Sequence, residues 1–199
     1  MTKFLPLFGH LDWPVTWRQL FFFPLDRKVT DLCWKICHGV PYTAEHLSSF
    51  GYAISTVCFC GHHNESLEHL FFSCPLAQSG VDWIQSLLSR VSPLAPSLCV
   101  RHLLFGFTAD ELCCVPKVFT YLLNVLKFCI WSRHNDFRFR SVAPSAYGLL
   151  ASLRARVKFY LPLFSKRFVS ASCRRYFRRQ WGASGLIGSF SDGVFSVHL

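Results

Sequence analysis

Four side chains able to hold a metal ion fall within one short stretch: Cys58, Cys60, His69 and Cys74, in the spacing C-x-C-x8-H-x4-C. Three thiolates and one imidazole make a closed tetrahedral set, the coordination of a structural Zn2+, and leave no open position for a substrate. The metal chemistry this pattern supports is therefore structural, not hydrolytic. Gly61 follows the second thiol directly, and a residue free to adopt positive φ lets the backbone turn back on a metal. One residue between Cys58 and Cys60 is a tighter gap than the two to four usual in such turns, and His62 and His63 stand next as substitute ligands. A second reading is buried free thiols beside a surface histidine, because free cysteine is among the most buried residue types. Cys33 and Cys37 lie one helical turn apart on an apolar stripe and read as core, while Cys99, Cys113, Cys114, Cys129 and Cys173 have no histidine at ligand spacing.

The second candidate chemistry is phosphate recognition. The chain of 199 residues carries 21 Lys+Arg against 11 Asp+Glu, a formal net charge of +10. Residues 1–100 sum to −1 and residues 101–199 to +11, so the excess lies wholly in the second half. Between Arg133 and Arg179 stand 12 basic residues and one acid, Asp136. At helical spacing Arg167, Arg174 and Arg178 share one side, with Arg175 and Arg179 alongside, while Phe164, Phe168, Cys173, Phe177 and Trp181 lie more nearly on another. Such a helix lays guanidinium groups on phosphates and stacks rings on bases. The expected contacts to RNA or DNA are Arg154, Arg156, Lys158, Lys166, Arg167, Arg174, Arg175, Tyr176, Arg178, Arg179 and Trp181. A charge run is also often a solvated face, and a basic amphipathic helix can lie on an anionic membrane. Against the membrane, the hydrophobic content is needed for a core and neither end carries a lipidation motif.

Enzyme chemistry is not expected. Metal-dependent polymerases and nucleases need converging carboxylates, and the acids here stand singly apart from Asp110-Glu111. There is no GxxxxGK[ST] phosphate loop and no G-x-S-x-G elbow. Pro6, His10, Asp12 and Pro14 interrupt the first fifteen residues, so no signal peptide is read and a nuclear or cytoplasmic, reducing location is expected. Val118 to Trp131 is the most apolar stretch, but Asn124 and Lys127 lie inside it. A bilayer span needs about 20 apolar residues, so a buried helix is expected there instead.

The elements that must position these groups are helices. Asp26 opens one whose buried face is Val29, Leu32, Cys33, Ile36 and Cys37, with Gly39 as its stop. Thr43 caps a short helix ending at Phe50-Gly51, Cys58 to Gly61 is a turn, and Ser66 to Ser73 is helical. Pro75 starts a helix to about Val91. Further helices run over Lys117–Arg133 and from Ser145 to Arg179, the latter broken at Pro162. The fold class is mostly α: a small zinc-knuckle helical module followed by a basic helical C-terminal region. The expected divisions are an apolar N-terminal segment (1–25), the zinc-bearing module (26–91), a linker (92–97), the basic region (98–181) and a flexible Gly/Ser tail (182–199).

The stretch from Asp26 through Trp34 to His38-Gly39, then Cys58-Phe59-Cys60-Gly61, then Ser66 through Glu68-His69 to Cys74-Pro75, resembles the zinc-binding region following the reverse transcriptase domain of non-LTR (LINE-type) retrotransposon polyproteins. The resemblance covers roughly residues 13–90 at the level of motifs. Leu104-Phe105-Gly106, the Tyr121 to Lys127 helix and the Tyr176 to Gly182 stretch look like the C-terminal tail of the same polyproteins. The one-residue Cys58–Cys60 gap and Pro41 depart from the family pattern. The resemblance implies that Cys58, Cys60, His69 and Cys74 bind Zn2+, and that the region grips template RNA or target DNA. It also implies an upstream reverse transcriptase domain as partner, which the apolar N-terminus would have packed against, and polymerase and endonuclease centres that lie outside this chain. The alternatives are a protein-interaction or scaffold fragment and a gene remnant with no nucleic-acid role.

Overall fold

The computed structural model describes residues 11–21 and 25–199. Part of the apolar N-terminal segment, including Phe22, Phe23 and Pro24, lies outside the described residues. Its described part forms helix α1 (Trp13–Leu20), capped by Asp12, whose carboxylate accepts from Val15 N at 3.0 Å. Leu11, Val15 and Leu20 are buried in this chain's own core. Helix α1 packs on helices that follow it.

Helix α2 (Arg27–Cys37) begins where Asp26 accepts from Val29 N at 3.0 Å and ends as Gly39 takes φ +67°. All five residues of its apolar stripe are buried. Helix α3 (Ala44–Ser49) is capped by Thr43 and stops at Gly51, with φ +83°. Helix α4 (Pro75–Val91) carries its proline in the first turn, where no N–H partner is needed. Gly80 on α4 admits the Leu126 side chain so closely that a Cβ there would meet it at 2.4 Å. Residues 92–97 hold no helix, and helix α5 (Val100–Phe105) follows.

Helix α6 (Lys117–Arg140) is the axis of the molecule and extends two turns beyond the expected end at Arg133. It is buried nearly all round over Val118–Lys127. It packs against α2, α4 and helix α7 (Ala146–Ser165), so both halves share one core across residues 92–97. Two polar residues in its apolar stretch have partners: Asn124 Nδ2 donates to Gln19 O at 3.0 Å, and Lys127 Nζ to Leu104 O at 3.4 Å. No described helix is long and apolar enough to cross a membrane.

Two expectations about the C-terminal part are corrected. Helix α7 runs through Pro162, and the break falls over Lys166–Ser170, before helix α8 (Ala171–Gln180). Arg167 therefore does not share a helix with Arg174 and Arg178. The tail expected to be flexible forms an antiparallel hairpin, β1 (Gly188–Ser191) with β2 (Val194–Val197). Asp192 and Gly193 both take positive φ at its turn, as a tight two-residue hairpin requires. Ile187 and Phe195 are buried, and Phe195 meets Phe177 of α8 edge-on at 4.9 Å.

Candidate metal centre

The turn that presents the first two thiols is closed by backbone bonds. Cys58 N donates to His62 O and Gly61 N to Cys58 O, each at 2.9 Å. Gly61 sits at φ +89°, a region that L side chains rarely adopt, with open space around it. Its identity answers to backbone conformation, as the sequence suggested.

His69 and Cys74 come from the next element, a wide π-type turn over His69–Ser73. Ser66 Oγ accepts from His69 N at 3.0 Å to start it, and Cys74 N donates to His69 O at 2.7 Å to close it. In an α-helix residues five apart point about 140° away from each other. Widening the turn by one residue brings them toward one face, which is what the H-x4-C spacing needs. Single π-type turns are frequent at functional sites. Pro75 then starts α4 at once.

The result is a single cluster: one ligand atom from each of Cys58, Cys60, His69 and Cys74, all within 4.8 Å of one another. Cys60 Sγ lies 3.3 Å from His69 Nε2. Cys58, His69 and Cys74 are buried and Cys60 is exposed. Burial is the first cause that lowers the His69 pKa, which keeps the ring neutral and its lone pair available. The hydrogen bond from Cys58 pulls the Cys74 thiol down. Three sulfurs and one neutral imidazole at this spacing fit a tetrahedral metal ion. His62 is not a ligand here: its ring stacks on His69 at 4.1 Å, while its Nδ1 bonds Asn64 O at 2.9 Å.

Residues 9–80 match the family described as zinc-binding in reverse transcriptase. The matched segment runs from just before α1 into α4 and contains all four clustered residues. No curated protein and no solved structure matches this chain.

Beside this region stands a residue that the sequence reading passed over. Glu65 is fully buried. Its Oε1 accepts from Ala44 N at 3.1 Å, and its Oε2 lies 3.1 Å from Arg138 Nη2 and 3.3 Å from His134 Nδ1. Burial would raise its pKa, but His134, Ala44 N–H and Arg138 outweigh that and lower it. Arg138 also donates to Ser55 O and Val57 O, at 3.3 and 2.9 Å, and so grips the irregular segment entering Cys58. The start of α3, the approach to the thiol turn and the end of α6 are held through one carboxylate. An isolated Glu in a polar loop carries no sequence signal of this.

The expected nucleic-acid contacts separate into two groups. Arg156 pairs with Asp26 at 2.8 Å and lies 4.2 Å from the Phe128 ring, and Arg154 stacks 5.3 Å from Trp83. Both tie the basic half to the metal-bearing half. Arg174 donates to Phe168 O and lies over Phe190, and Trp181 is buried against Phe164. Of these four, Trp181 is corrected from a surface contact to a core residue, while the three half-buried arginines also make packing contacts within the chain. Lys158, Lys166, Arg167, Arg175, Tyr176, Arg178 and Arg179 are exposed. Cys99, read as lacking a histidine, has His102 Nδ1 at 3.2 Å from its sulfur, and the same nitrogen accepts from Cys99 N to cap α5. His102 Nε2 in turn meets Glu111 Oε1 at 2.9 Å.

Proposed function

We propose that this chain is a non-catalytic, Zn2+-stabilised segment of a reverse transcriptase polyprotein of the LINE type, and that it contacts template RNA or target DNA. The observation that carries the reading is the Cys58, Cys60, His69 and Cys74 cluster inside a segment that matches a zinc-binding region of reverse transcriptases. Bound Zn2+ would fix the thiol turn to the π-type turn as a structural cross-link. With four protein ligands, the metal has no position at which to activate water.

The nucleic-acid contact rests on exposed cations of the C-terminal region: Lys158, Lys166, Arg175, Arg178 and Arg179. Arg175, Arg178 and Arg179 sit on α8, whose inward residue is Phe177. They face solvent because that helix anchors through one ring and the hairpin behind it.

Metal analysis of the purified chain tests the first part. One equivalent of Zn2+ is expected, lost when His69→Ala and Cys74→Ala are combined, and full retention in that variant overturns the assignment. The second part is tested by titrating the chain with a labelled oligonucleotide at several salt concentrations. Neutralising Arg175, Arg178 and Arg179 to Gln is expected to flatten the log–log salt slope by about 2 to 3. An unchanged slope would remove α8 from the interface.

A further inference from the structure

We infer a second nucleic-acid contact, away from the α8 arginines: the groove between α2 and α6 accepts an unpaired base of single-stranded RNA or DNA. This goes beyond the reading above, since it uses other residues and a different interaction. The groove has a volume of about 600 Å3, within the range of pockets that take small molecules, about 300–1,000 Å3. It has room for a nucleotide and not for a helix.

Its walls carry rings. Trp131 on α6 is half-buried and already stacks on His134 at 4.9 Å, so the rings open to a base are Tyr42 and Phe139, which line the same groove while 64% and 79% exposed. Stacking on such faces tolerates any base, because every base has a π-face. Between the rings lie Ser132 and Asn135, both half-buried. Neither side chain has a hydrogen-bond partner among the described residues. A carboxamide offers a donor pair and an acceptor together, the complement of a base edge. The Asn135 amide thus has water as its partner and can exchange it for a base edge.

The rim carries three cations, Lys28, Lys35 and Arg140, against two acids, Asp31 and Asp136. Lys28 has no ion-pair partner among the described residues. Lys35 pairs with Asp31 at 2.8 Å and Arg140 with Asp136 at 3.1 Å, both one turn apart on their own helices. Exposed pairs of this kind contribute little, so both cations can exchange a carboxylate for a phosphate. Exposed rings, an amide without a protein partner and rim cations together fit a nucleotide. A duplex is excluded because its bases are stacked and paired, and only an unstacked base reaches rings set in a groove.

The test uses the full, Zn2+-loaded chain and labelled single strands of about twelve nucleotides, as RNA and as DNA, beside the matching duplex. The double variant Tyr42→Ala with Phe139→Ala removes two exposed rings. It is expected to weaken single-strand binding roughly 5- to 100-fold and leave duplex binding and the salt slope within about twofold. Single-strand affinity within about twofold of the unaltered chain overturns the proposal. Photocrosslinking of thiouridine-substituted RNA to the unaltered chain gives a readout free of any folding defect. Adducts are expected on the peptides spanning residues 28–42 or 128–140, and adducts confined to residues 158–179 overturn the groove while leaving the α8 contact standing. If the groove adducts form but Arg175, Arg178 and Arg179 prove silent, the α8 reading fails and the groove remains.

Discussion

At the scale of single residues, the groups that matter most are carboxylates with several partners. Glu65 accepts from a backbone amide and faces both His134 and Arg138 while fully buried. Removing one partner of a buried ion pair costs about 3–5 kcal/mol, because the remaining charge stays desolvated. Glu65→Ala should therefore lower unfolding stability by that amount in urea titrations. A loss below about 1 kcal/mol would mean that Arg138 and His134 find water instead. Glu111 has the same design near the surface. Burial favours its neutral form, but Thr108 N–H, His102 and Arg101 prevail and hold its pKa down at about 2, against 4.5 in the open chain. A carboxylate with a depressed folded pKa contributes stability that is present above pH 4.5 and is lost as pH falls toward 2. The stability difference between the unaltered chain and Glu111→Gln should hence shrink across that window, which urea midpoints at stepped pH would follow.

At the scale of elements, the π-type turn is the device that makes the H-x4-C spacing work. Deleting Phe72 would leave three residues between His69 and Cys74 and let the turn close as ordinary α-helix. Four residues apart on an α-helix still share a face, but the i→i+5 bond from Cys74 N to His69 O is then lost. The thiol would start α4 in the wrong register to the Cys58 turn. Zn2+ affinity measured by chelator competition should fall by at least about tenfold, close to the effect of losing supporting contacts around a ligand. Affinity within a factor of two would show that the turn is incidental. Of the elements themselves, those with local signals were legible: Asp26, Thr43 and Pro75 start helices and Gly39 and Gly51 stop them, as their side chains and backbone freedom dictate. The C-terminal hairpin has only a faint sequence signal, Asp192-Gly193 between short apolar runs. Its strands are four residues each, too short for alternation to stand out.

At the scale of the whole molecule, one core joins the metal-bearing half and the basic half. Helix α6 is buried against elements of both, Arg156 reaches Asp26 across 130 positions, and Arg138 reaches the approach to the thiol turn. A chain organised in this way should unfold as a unit. Urea transitions followed by tryptophan fluorescence and by far-UV circular dichroism are expected to coincide. Two separated transitions would instead mark residues 92–97 as a boundary between independent units.

What the sequence determined was set by short-range physics. Ligand spacing, helix caps, the glycine at the thiol turn and the apolar stripe of α2 each depend on neighbours within a turn or two, and each appears where its residue types demand it. The charge asymmetry was equally legible, but its meaning was not. Twelve basic residues between Arg133 and Arg179 look alike in a sequence, yet burial and distant partners divide them. Arg138, Arg154, Arg156 and Arg174 serve packing, while Arg175, Arg178 and Arg179 remain in water. Only the tertiary structure could decide that, because an arginine's role is set by a carboxylate, carbonyl or ring brought to it from far along the chain.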